Sequence, residues 1–127
     1  MAFKMAPPTF GKKPKVKVEV EQVTVIRKDL DDGVAGEAND DGSIFVSNKI
    51  EEGSKKEKEI VAHEGQHIKD MKSGKLAYND DSIEWNGKKY ERKAGMINYK
   101  GKWLHEGDKS FPWEKRAYKA GDAGKVK

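Results

Sequence analysis

Two histidines four residues apart, with a glutamate following the first, stand in His63-Glu64-Gly65-Gln66-His67. On a helix, positions four apart share a face, so both imidazoles point the same way and the Glu64 carboxylate sits beside them. Two neutral imidazoles at that spacing can ligate one metal ion, and an adjacent carboxylate can act as general base toward water. The chain has three histidines, and this motif uses two of them. It has no cysteine, which excludes disulfides and thiolate ligands. Any further ligand must therefore offer nitrogen or oxygen.

The expected metal is zinc, Zn2+, which at catalytic sites takes three protein ligands and keeps a position for water, lowering the pKa of that water towards ~7. His63 and His67 supply two ligands, with Glu64 as the base. The third ligand is not named by the pentapeptide. Six residues past His67 stands Ser73, a poor zinc ligand. Asp70 lies one helical turn past His67 and is better placed to hydrogen-bond a ligand histidine than to reach the metal. Downstream, Glu114 falls in the first turn of a helix beginning at Pro112, with Trp113 and Ala117 available to pack on the motif helix. His105 is its rival, at a strand end beside a turn, and Glu84, Glu91 or an aspartate complete the field. Asp81 is a further group able to orient a ligand histidine.

The motif needs a helix to hold it. Ser54-Lys55-Lys56-Glu57 has the form of a capping box, which starts a helix running to about Lys72. Ile60, Val61, Ile68 and Met71 form its apolar side, and Gly74 suits the residue just past its end. Gly65 within it either permits close packing or is tolerated, at roughly 1 kcal/mol relative to alanine. Upstream, residues 1–14 read as a flexible arm rich in proline. Val16, Val18 and Val20 alternate with charged residues as a half-buried strand, with a break near Glu21-Gln22 before Val23 and Val25. Asp29 to Asp41 reads as turn-rich. Asn48, where a calcium loop would need a bidentate glutamate, rules that loop out. Ser43–Ser47 follows as a short strand. Downstream, Asn86-Gly87 and Lys100-Gly101 each join two short strands into a hairpin. A second helix runs from about Ser110 to Ala120, ended by Gly121.

Composition bounds what these elements build. The 127 residues suffice for one modest domain, expected over 15–121, with a loose tail over 122–127. Charged residues make up 38% against 35% hydrophobic, so the core is thin and a metal would reinforce it. Trp85, Trp103 and Trp113 are expected to be its main packing residues. The net charge of +4 comes from lysines mixed with acids, a solvated surface rather than a nucleic-acid site. No apolar run approaches membrane length, and the first ten residues lack the stretch of a secretory signal, so a cytoplasmic protein without membrane partners is expected.

With the pentapeptide on a capped helix and Glu114 in a second helix, within Trp113-Glu114-Lys115-Arg116-Ala117, the chain resembles the zincin metallopeptidases, and among them the small gluzincins. The resemblance covers about residues 36–120, and only the pentapeptide is specific. It implies an α+β zincin-like domain with an N-terminal antiparallel sheet, a central motif helix, β-hairpins and a C-terminal helix carrying the third ligand. It also implies that Ser43–Ser47 is the rim strand that pairs with an extended peptide or protein substrate. The implied activity is hydrolysis of peptide bonds, with Tyr118, one turn after Glu114, as the candidate oxyanion donor and His105, Tyr99 and Tyr90 as alternatives. Larger gluzincins often carry an aspartate at the Tyr118 position, so one expected carboxylate is missing here. The opening Met1-Ala2-Phe3-Lys4-Met5 is similar to starts of some bacteriophage proteins, which would make the chain phage-encoded and virion association an option. The alternative to an enzyme is a non-catalytic zinc-stabilised structural or binding module, such as a component of a larger particle.

Overall fold

The computed structural model describes residues 2–5 and 23–124. Its elements run β1 (Ala2–Met5), β2 (Val25–Lys28), β3 (Val34–Ala38), β4 (Ile44–Ser47), α1 (Lys55–Lys72), β5 (Leu76–Tyr78), β6 (Ser82–Trp85), β7 (Lys88–Lys93), β8 (Met96–Tyr99), β9 (Lys102–His105) and α2 (Pro112–Gly124). The fold is α+β, as expected: two sheets and two helices. Ala2–Met5, expected within an arm, is a strand paired with β3. The strand expected over Val16–Val20 and the break after it lie outside the described residues, as do 125–127.

The first sheet has the order β1-β3-β4-β2 and is mixed rather than antiparallel. β3 and β4 form an antiparallel hairpin, whereas β1 runs parallel to β3 and β2 parallel to β4. The hairpin turn is Asn39–Gly42, where Gly42 takes a φ of +93° and the Asn39 amide donates to the Ser43 carbonyl. The stretch from Asp29 to Asp41 is thus not all turn. Its middle, Val34–Ala38, is β3, whose Ala35, Gly36 and Ala38 are small enough for the strand to lie against α1. A methyl group on Gly36 would stand 2.6 Å from Ile60 Cγ2 and 3.4 Å from Glu64 Cγ.

α1 begins where the capping box places it. The Ser54 hydroxyl accepts from the Glu57 amide at 3.1 Å, and the Glu57 carboxylate accepts from the Gly53 amide at 3.0 Å. The helix ends at Ser73 with Gly74 at a φ of +83°. Gly65 faces open space, so it is tolerated and makes no close contact.

The second sheet is an antiparallel meander, β5-β6-β7-β8-β9. Asn86-Gly87 and Lys100-Gly101 form its expected tight turns, both residues of each pair at positive φ. Ala94-Gly95 makes a third such turn, joining the two hairpins into one sheet. α2 then packs along α1. Gly121 does not end it: the helix continues to Gly124, and a Cβ on Gly121 would stand 3.1 Å from the Glu59 carbonyl, one on Gly124 2.5 Å from Ala62 Cβ. The glycines let the helix backbones approach.

Two apolar clusters result. Ala35, Ala38, Ile44, Val46, Ile50, Ile60 and Ile68 fill the space between the first sheet and α1. Leu76, Ile83, Ile97, Phe111 and Trp113 fill the second sheet's inner face, with Phe111 stacked on Trp113 at 4.8 Å between ring centroids. Met71 touches both clusters. Of the three tryptophans, Trp113 is buried and Trp85 packs half-buried beside it, but Trp103 is 41% exposed on the meander's edge strand and is not a core residue.

Candidate metal centre

The motif helix buries its chemistry. His63, Glu64 and His67 lie on the α1 face covered by β3 and α2, at 1%, 0% and 1% exposure. α2 brings Glu114 to them from its first turn, itself 3% exposed. One Glu114 oxygen lies 3.0 Å from His63 Nε2, and the other lies 3.1 Å from His67 Nε2. The ligating atoms of the three residues fall within 4.8 Å of one another, and together they form a buried group that can hold a metal ion.

The hydrogen bonding tests that fit. Buried polar atoms almost always have partners. Among the described residues, neither the two Glu64 carboxylate oxygens nor the two His67 ring nitrogens have a hydrogen-bond partner. His67 Nε2 is in contact with Glu114 Oε2 at 3.1 Å, yet the pair is not aligned as a hydrogen bond. Two imidazoles and a carboxylate within one small volume, with orphaned atoms among them, suit a cation.

The electrostatics of the metal-free group agree with this close grouping. Burial pushes the Glu64 carboxyl up to about 8, with Glu114 and Glu37 adding to the effect and His67 opposing it. Burial alone would lower His67, but the facing Glu114, with Glu64 and Asp70, carries it up to about 9. Burial would raise Glu114, and the two histidines instead hold it down to about 2. Burial keeps His63 below its ordinary value against the pull of Glu114. Without metal, Glu64 is thus a neutral acid at pH 7, and His67 and Glu114 form an ion pair.

The other residues singled out from the sequence fall elsewhere. His105 is exposed at the end of β9 and is no part of the group, so it is not the third ligand. Glu84 and Glu91 lie on β6 and β7, outside the group. Asp81 is an exposed turn residue before β6. Asp70 is buried near His67, but its oxygens accept from Arg116 and Gln66 rather than from a histidine. Tyr118 does lie one turn along α2 from Glu114, and its ring packs edge-on to His63 at 4.6 Å. Its hydroxyl donates to the Gly107 carbonyl at 2.9 Å. Nor is β4 a free rim. β3 and β2 pair with its two edges, so no main-chain row is left on Ile44–Ser47 for a peptide to add to.

Two contributors escaped the sequence reading. Gly36 sits beneath Glu64, where only a residue without a side chain fits. Arg116 holds Asp70, although its place two residues from Glu114 gives no sign of the partner. Among the described residues, no helix is long and apolar enough to cross a membrane. Compared with known protein families, curated proteins and solved structures, the chain matches none of them.

Proposed function

We propose that this chain is a zinc-dependent metallopeptidase of the gluzincin type, with His63, His67 and Glu114 as metal ligands and Glu64 as general base. Two imidazole nitrogens and a carboxylate oxygen match the donor set that zinc takes at hydrolytic sites, which leaves a coordination position for water. When bound, the ion supplies Lewis acidity, polarising an amide carbonyl and acidifying water.

The observation that carries the reading is Glu64. A metal staple needs its ligands, but has no use for a second carboxylate beside them, fully buried and without a hydrogen-bond partner among the described residues. A general base does need such a group. A cation bound beside Glu64 would hold its carboxyl ionised, and in hydrolysis that carboxylate removes a proton from the attacking water as the water oxygen bonds to the amide carbon. It then delivers that proton to the leaving nitrogen as the carbon–nitrogen bond breaks. The products are a carboxylic acid and an amine, between which the water's second proton passes to leave carboxylate and ammonium, and Glu64 returns to its carboxylate state.

A second reading, a non-catalytic zinc-stabilised structural or binding module, is favoured by a different observation: none of the four side chains exceeds 3% exposure, so a polymer substrate needs an opening. One substitution separates the two. In zinc-loaded protein, Glu64→Gln is expected to keep stoichiometric zinc, measured by elemental analysis, and to abolish cleavage of a fluorescently labelled unfolded protein. Stoichiometric zinc with no cleavage by either form supports the staple. Cleavage undiminished in the variant refutes the role given to Glu64.

A further inference from the structure

Glu114 reaches the two histidines only if α2 lies on α1 in one register, and the structure shows what holds that register beside the site. Arg116, two residues past Glu114, grips Asp70 with a two-point fork. Its Nε donates to Asp70 Oδ2 at 3.0 Å, and its Nη2 donates to Oδ1 at 2.9 Å. Asp70 is 2% exposed, and Gln66 adds a third donor to Oδ1 at 3.1 Å. The guanidinium also lies over the Trp85 ring, 5.8 Å from its centroid, which joins the pair to the second sheet. We infer that Asp70 and Arg116 are a positioning pair for the metal centre, setting the placement of the Glu114 carboxylate and hence the affinity for the ion. The inference rests on the reading of His63, His67 and Glu114 as ligands.

The geometry supports this over a general helix-to-helix tie. α2 meets α1 at several places, the Tyr118 ring on His63 among them. At its C-terminal part, Gly121 and Gly124 set the closeness of the backbones at Glu59 and Ala62. Such contacts fix distance and leave sliding and rolling cheap, because small residues offer no directional bond. In the first turn Glu114 faces His63 and His67. Beside the Glu114–His63 hydrogen bond, the Arg116–Asp70 fork is a second directional contact, two bonds to one carboxylate, gripping α1 one turn past His67. It therefore restrains roll and slide of the turn that carries Glu114. The fork also keeps the Asp70 carboxylate engaged away from the histidines. A lysine cannot substitute, because its ammonium makes no planar fork.

The test uses zinc ions in competition with a chromophoric chelator, on the full chain and on the variants Arg116→Lys, Asp70→Asn and Glu114→Gln. Thermal melting of the metal-free proteins is the structural control, and the visible spectrum of the cobalt(II)-loaded proteins reports the ligand set. Arg116→Lys and Asp70→Asn are each expected to weaken zinc binding by ~10–100-fold, the size seen when partners of metal ligands are removed. They are also expected to alter the cobalt(II) spectrum, and the double variant is expected to be no weaker than the worse single one, because both remove the same contact. If Arg116→Lys and Asp70→Asn melt lower but bind zinc within twofold of the parent with an unchanged cobalt spectrum, the pair is only a helix tie and the inference is overturned. Glu114→Gln identifies the other failure: zinc binding unaffected by that substitution removes the ligand assignment itself, and the inference with it.

Discussion

Replacing Glu64 with glutamine in the metal-free protein probes the site without any substrate. The Glu64 carboxyl is fully buried without a hydrogen-bond partner, and burial raises its pKa from 4.5 to about 8. In the unfolded chain the same group ionises near its ordinary value. Between those two values the folded state binds a proton that the unfolded state has released, so stability falls as pH rises. The loss begins near pH 4.5, proceeds at about 1.4 kcal/mol per pH unit, and is complete near pH 8. At pH 7 it amounts to roughly 3 kcal/mol, an upper figure because the shift is large and the neighbours are coupled. Glutamine has nearly the shape and polarity of the neutral acid but never ionises. Its own burial cost does not vary with pH, so the difference between the two proteins isolates the ionisation of Glu64. The assay is urea unfolding in the presence of a chelator, followed by the fluorescence of buried Trp113, at pH values from 4.5 to 8. The variant is expected to gain on the parent steadily across that range and to lead by several kcal/mol at the top of it, a shift on the order of 10 °C in melting temperature. A stability difference that stays constant from pH 4.5 to 8 refutes the argument, since it means Glu64 is solvated or has a compensating partner.

The same structure fixes the outcome of other perturbations. Gly65→Ala adds a methyl group to open space in the middle of α1 and is expected to stabilise the protein by about 0.5–1 kcal/mol, whereas Gly36→Ala drives a methyl group to 2.6 Å from Ile60 and toward Glu64 and is expected to cost about 1–3 kcal/mol, both read by urea midpoint. His67, carried up to about 9 without metal, must lose its proton to become a ligand. Apparent zinc affinity is therefore expected to rise about tenfold per pH unit for each proton displaced and to level off above pH 9, as followed by chelator competition. His105→Ala, on an exposed strand end, is expected to leave zinc affinity unchanged, and a loss there would contradict the ligand set.

Local rules made the helix with its cap and the tight turns legible. The Ser54 and Glu57 side chains satisfy amides within four residues, and Asn86-Gly87 adopts positive φ for reasons internal to the dipeptide. Where the reading failed, partners distant in sequence decided. Gly36 reads as turn chemistry among Asp31-Asp32-Gly33 and Asn39-Asp40-Asp41-Gly42, yet it lies in a strand because α1 needs a flat surface at Ile60. Gly121 reads as a helix stop, yet the helix runs through it because α1 needs a close neighbour there. In both cases the loss of a side chain serves packing between elements, which a glycine reports no differently from a turn. Trp103 errs the other way: its size suggests the core, but alternation along β9 turns it outward.

At the site, the depth of legibility follows the number of bonds between a residue's identity and its task. His63 and His67 share a face by helix geometry alone. Glu114 required a second helix and one crossing; Pro112 supplied the start of that helix, and the predicted first-turn position rather than ligand chemistry set Glu114 ahead of His105, and the structure brings Glu114 to the two histidines. Tyr118 was placed on the correct turn by the same spacing, but the direction of its hydroxyl depends on the Gly107 carbonyl, which no spacing within α2 reveals. Asp70 was recognised as an accessory to the ligands, with the wrong partner, because a buried carboxylate is claimed by the strongest donor within reach. Here that donor is a forked guanidinium on the other helix, not the imidazole one turn away on its own. The fork satisfies Asp70 and no more: among the described residues both His67 ring nitrogens and both Glu64 oxygens remain without a hydrogen-bond partner, the atoms that the proposed ion and water would engage.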